Sequence, residues 1–93
     1  PVTLSTADRE GRYTWVENVH PVFAGVPLLG KCDAELAEDG TLAALSRLKE
    51  RVITSGKPER ETIVLRHARG EHTFDVRVEP ECAPDGSVTG VVI

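Results

Sequence analysis

Histidines, cysteines and scattered acids are the residues of this 93-residue chain whose chemistry could go beyond packing. Cys32 and Cys82 lie far apart and match no C-x-x-C or metal spacing, so reduced thiols are the expectation. His67 and His72 flank the turn-forming pair Arg69-Gly70. If the chain reverses symmetrically around that pair, the two imidazoles face each other with about 5 Å between Cβ atoms. That is near enough to share a metal or a ligand carboxylate. A metal needs at least one more ligand, and in this register Glu71 points to the other face. A solvated histidine pair at a rim is the reading the residues favour. Catalysis lacks its parts: no Ser or Cys has an adjacent base, no paired carboxylates sit on a rigid element, and no Gly-rich phosphate loop is present. The domain is not expected to be an enzyme.

The whole chain limits what those residues can serve. At this length one core and one domain, residues 1–93, are expected. A net charge of −4 without any Lys/Arg run argues against nucleic acid as a partner. No apolar run approaches the ~20 residues that span a bilayer, and the start "PVTLSTADRE" lacks the order of a signal peptide. A cytoplasmic domain without direct membrane insertion is expected.

Local patterns supply the elements. "DREG" is a turn between the alternating "VTLST" and the β-branched, aromatic "RYTWVEN", which together predict a hairpin. Regular alternation along the second strand puts Tyr13 and Trp15 on one face. Pro21, Gly25, Pro27, Gly30 and Gly40 then allow only short helical turns, the best being "DAELA" with Asp33 as its cap. Leu42, Leu45, Leu48 and Val52 recur at steps of three and four, predicting an amphipathic helix with Thr41 as N-cap and Gly56 as stop. The last third is a meander of strands. Closure around Arg69-Gly70 pairs His67 with His72, Leu65 with Phe74 and Ile63 with Val76, all on one face. Arg66, Thr73, Asp75 and Arg77 take the other, and "PDG" turns into the final strand "SVTGVVI". The fold class is therefore α+β: a five-stranded antiparallel sheet with short helices and one longer helix on one face.

The ordered series "D-x-x-G-R-Y-x-W-V-x-N", "H-P-x-F", "L-L-G-K-x-D-A-E-L", "R-V-x-x-S-G-K-P" and "D-G-x-V-x-G-V" resembles PAS sensor domains, especially those preceding bacterial sensor histidine kinases. The resemblance runs from Leu4 to Ile93. It implies a cavity between sheet and helices, in which a ligand, cofactor or partner event alters the sheet and the helix that leaves it. Two departures stand out. The chain ends before the Asp-x-Thr element that joins sheet to output helix in many relatives, and it begins without a preceding amphipathic helix, so an excised core is expected, with flanking helices and output domain absent. Flavin photochemistry of the LOV type needs "N-C-R-F-L-Q", whereas this chain has "GKCDAELA" with Cys32 one place early. Haem in this family takes a His on or near the long helix, and "TLAALSRLKERVITS" contains none; His20, in the opening loop, is expected to cap a short helix or bond backbone. Both cofactors are argued against, and the cofactor is otherwise unknown.

The expectation is a sensory module that passes a ligand- or partner-induced population shift to an output domain in the same chain, a histidine kinase. Expected cavity residues are Phe23, Leu36, Leu45, Leu48, Val52, Leu65, Phe74 and Val76, with His67 and His72 as polar contacts. Trp15 fits two placements: over the cavity mouth, or on the outer sheet face against a second subunit or flanking helix. The partners expected are a small-molecule ligand and a second copy of the chain. The alternative is a ligand-free dimerisation module with a fully packed core, because so small a fold tolerates a void poorly.

Overall fold

The computed structural model describes residues 2–23, 25–36, 40, 42–67 and 70–93, with residues 22, 66, 67 and 70 described by backbone only. Strands β1 (Leu4–Asp8) and β2 (Tyr13–Glu17) form the first hairpin. A 3-10 turn (Pro21–Phe23), a short helix α1 (Asp33–Leu36) and the longer α2 (Ala43–Ser55) follow. The chain ends in β3 (Glu59–His67), β4 (Gly70–Cys82) and β5 (Val88–Val92). The strands make one antiparallel sheet of order β2-β1-β5-β4-β3, the α+β arrangement that the sequence pattern predicts.

Turn chemistry closes the first hairpin. The Asp8 carboxylate accepts from the backbone N–H groups of Glu10 (3.0 Å) and Arg12 (2.9 Å), an Asx turn that fixes the reversal. Helix α2 stops at Gly56, whose left-handed φ of 70° lets its N–H reach the carbonyl of Val52 at 2.9 Å. At the other end the N-cap position falls on Leu42, which offers no side-chain acceptor; the expected cap Thr41 lies outside the described residues. The core is the inner sheet face (Ala7, Ile63, Leu65, Val78, Val91) against Leu42, Leu48 and Val52, with Leu45 partly buried beside it.

Three expectations are corrected. First, β3 and β4 pair as His67 with Gly70, Leu65 with His72, Ile63 with Phe74 and Glu61 with Val76. His67 meets Gly70 where His72 was expected, so every pair slides by two. A slide of two preserves side-chain parity, and the expected faces survive: Ile63 and Leu65 are buried, Thr73, Asp75 and Arg77 exposed. His67 and His72 no longer stand opposite each other. Second, Tyr13 and Trp15 occupy different faces. Thr6 pairs with Trp15 but Ala7 pairs with Tyr13, leaving Thr14 as an extra residue in β2. This bulge reverses the alternation, so Tyr13 turns inward with Ala7 while Trp15 stays 45% exposed on the outer face with Thr6. Third, Asp33 does not cap α1. Cys32 opens that turn, its carbonyl accepting from Glu35 and Leu36, and Asp33 is buried.

Gly90 shows why the last motif carries a second Gly. A Cβ built there meets the carbonyl oxygen of Ala7 at 2.1 Å, where β5 lies against the β1 backbone. Gly90→Ala is therefore expected to force β1 away from β5 and to destabilise the fold by about 3 kcal/mol, the upper part of the usual range for overpacking, read as a lower urea midpoint. An unchanged midpoint would show that β1 yields without cost.

Candidate functional site

Between the helices and the inner face of the sheet lies a cavity of about 720 Å³. Its walls are mostly apolar. Phe23, Leu36, Leu42 and Leu45 form the helical side, and Val16, Ile63, Leu65, Phe74 and Val76 the sheet side. Such size and composition suit a small-molecule site. The lining also includes Thr73, Asp75 and Arg77, the outward neighbours of Phe74 and Val76 on β4, facing Val2, Thr3 and Leu4. Successive strand residues point to opposite faces, so the void passes around the edge of β4 from the inner to the outer side. The pairing explains this opening. Strand β5 meets β4 only from Glu79 to Cys82, whereas β4 continues to Gly70 with β3 as its one described strand neighbour.

Of the expected cavity residues, Phe23, Leu36, Leu45, Leu65, Phe74 and Val76 line this space. Leu48 and Val52 do not: both are completely buried in the core beneath it, having turned fully onto the sheet. Trp15 is also outside the lining, because the β2 bulge aims it outward. His72 is not among the lining residues either; it lies beside the lining residue Phe74 (ring centroids 6.5 Å). The His67 side chain lies outside the described residues. The imidazole that meets His72 is His20, at 5.7 Å and edge-on, and His20 also stands edge-on to Phe74 at 4.9 Å. His20 thus does more than the expected backbone role, although its carbonyl does accept from the Phe23 N–H at 2.9 Å. Among the described residues no cluster of three or more His, Cys, Asp or Glu side chains is placed to hold a metal.

A buried polar group positions the helical side of the cavity. Asp33, at the start of α1, accepts from the Tyr13 hydroxyl on β2 and from Lys49 Nζ on α2, each at 2.8 Å. Both charged side chains are only 2% exposed, and the ammonium lies 3.9 Å from the centre of the Tyr13 ring. Burial draws the Lys49 pKa down against the pull of Asp33; burial, reinforced by Asp33, holds the Tyr13 phenol far above its usual range. Sequence reasoning missed this group. The available signal was Lys49 itself, which follows Leu45 by four and precedes Val52 by three, on the buried stripe of α2. An exposed clasp holds α1 from the other side: Glu35 accepts from the Cys32 N–H (3.2 Å) and Sγ (3.3 Å) and pairs with Arg12.

Comparison with known proteins agrees with this geometry. A family model described as PAS fold matches residues 1–93. The chain is 28% identical over 92 residues to Probable histidine kinase 1 of Oryza sativa subsp. indica, covering 98% of the chain and about a tenth of that relative's length. Among solved structures, VqmA bound to DPO superposes with a TM-score of 0.81 at 15% identity, over 99% of this chain and 49% of that one. The PAS domain of histidine kinase ThkA gives 0.70 at 19% identity, over 96% and 91%. At these identities the structural likeness is one of fold.

Two outcomes follow from the polar contacts. Asp33→Asn keeps an acceptor for Tyr13 but leaves Lys49 a buried ammonium without a counter-charge, an expected loss of about 3–5 kcal/mol in urea unfolding. Adding Lys49→Met should recover most of it; a double variant no more stable than Asp33→Asn would contradict the pairing. Glu35, drawn down from 4.5 to about 2 by the Cys32 N–H first, then by Cys32 Sγ and Arg12, stabilises the fold above pH 4.5 and loses that contribution as pH falls toward 2. The stability gap between wild type and Glu35→Gln should therefore narrow over that window; a gap constant with pH would exclude the carboxylate as its source.

Proposed function

Since the chain belongs to the PAS fold family, we propose that it is a sensory module whose cavity takes a small-molecule ligand and whose sheet transmits the result to a histidine kinase output elsewhere in the same protein. The observation that carries this reading is the cavity of about 720 Å³ between helices and sheet. Its walls draw on α1, α2 and β2, which share the charge of Asp33, and on β4, which runs along the opening. A ligand that fits one arrangement of these elements better than another shifts the population toward it. The kinase relative supports the choice of output, and VqmA bound to DPO is a neighbour of the same fold solved with a ligand. The proposed setting is bacterial and cytoplasmic; no helix among the described residues is long and apolar enough to cross a membrane.

The outer sheet face supports a second copy of the chain as partner, through this face or through flanking helices. Trp15 (45% exposed) and Leu4 (44%) lie on it two positions apart in the β1–β2 pairing, a small apolar area bordered by the ion pairs Arg60–Asp75 and Arg77–Glu79. Native mass spectrometry of the purified domain tests both parts. A retained small molecule is expected, lost on denaturation and absent from Leu45→Phe, which fills the cavity; a dimer peak is expected to weaken in Trp15→Ala. A bare mass in both proteins, with the dimer intact, would instead favour a packed interaction module.

A further inference from the structure

Ser5 is the polar residue of the inner face whose side chain the fold leaves without work. Its backbone is fully engaged: the N–H donates to the Ile93 carbonyl at 3.2 Å, and the Ile93 N–H returns a bond to the Ser5 carbonyl at 2.8 Å. The residue sits beside Val16 in the β1–β2 pairing, lines the cavity and is only 5% exposed. The other buried polar residues, Asp33 and Lys49, satisfy each other, and the neighbouring hydroxyls are bonded too, Thr3 to the Asn18 carbonyl at 2.7 Å and Thr6 to Thr14 at 2.6 Å. No described residue makes a hydrogen bond to Ser5 Oγ. No side-chain polar atom among the described residues is both fully buried and without a partner, so this hydroxyl is open to the cavity and offers a hydrogen-bonding point in a largely apolar wall.

Charge narrows what that occupant is. The one Arg or Lys among the described lining residues is Arg77, which is paired with Glu79 at 2.9 Å. Asp75, across the same opening, is paired with Arg60. Apart from the imidazole of His20, which is engaged with His72 and Phe74, no lining cation remains among the described residues to compensate a buried phosphate or carboxylate, and burying an unpaired charge is strongly unfavourable. Resting on the reading of the cavity as a ligand site, we propose that it binds a neutral, largely apolar small molecule whose hydroxyl or carbonyl group hydrogen-bonds Ser5 Oγ.

Three probes of one shape separate the terms: toluene, 4-methylphenol and 4-methylbenzoate, titrated into the labelled domain while the amides of Ser5, Val16, Leu65 and Val76 are followed by NMR. Toluene and 4-methylphenol are expected to shift these amides, the phenol binding about fivefold more tightly, the worth of one hydrogen bond. The carboxylate is expected to bind at least about tenfold more weakly than the phenol. Ser5→Ala should bring 4-methylphenol to the affinity of toluene and leave toluene unchanged. Ser5→Cys, which keeps a side chain of similar shape with a weak donor, is the second variant and should fall between. Equal binding of toluene and the phenol by the wild type, as expected if water alone meets Ser5, overturns the inference, and so does preference for the carboxylate; the ligand reading stands in both cases. Failure of every probe to shift these amides removes the ligand reading itself.

Discussion

A single buried negative charge holds the helices to the sheet. Asp33 meets Tyr13 from β2 and Lys49 from α2 at equal distance, and neither partner has water to fall back on. The taking of two charges out of water is unfavourable by itself, so their value lies in geometry: only one placement of α1 satisfies both donors. That matters because α1 has four residues, too short to be helical on its own account. The cavity exists partly because α1 is anchored by a polar contact at its first residue, leaving Leu36 at its end to form wall.

The elements legible in the chain were those written as periods. The Leu42, Leu45, Leu48 and Val52 stripe, the stop at Gly56, the Asp8 turn and the alternating strands all appear where spacing predicts them, since burial of one face determines both pattern and structure. The β3–β4 faces were legible and their register was not, for one reason. Sliding a strand by two residues returns every side chain to the same face, so the pattern is indifferent to the slide and the turn alone decides.

Other features are invisible to periodicity in principle. A bulge adds one residue without leaving a mark in the composition of β2, yet it moves Trp15 from inner candidate to outer surface. Lys49 reads as part of a solvated helix face until its position on the stripe is taken literally, and Asp33 reads as a cap until its partners are known. The cavity was half legible. Its apolar lining came from the same stripes as the core, but the division of α2 into Leu48 and Val52 below and Leu45 at the wall depends on how the helix is rolled against the sheet, which Tyr13 and Lys49 settle.

The bulge at Thr14 also makes β2 a place where register has chemical consequences. Flattening the bulge with Thr14 retained, by a one-residue slip of β2, would restore plain alternation along the strand, and with it Tyr13 and Trp15 would compete for the same side of the sheet. Either the indole would enter the void and occupy it, or the phenol would leave Asp33 and Lys49 without their third partner. A one-residue slip of an edge strand that brings the indole inward would thus convert an open chamber into a filled one without altering a single residue of its walls.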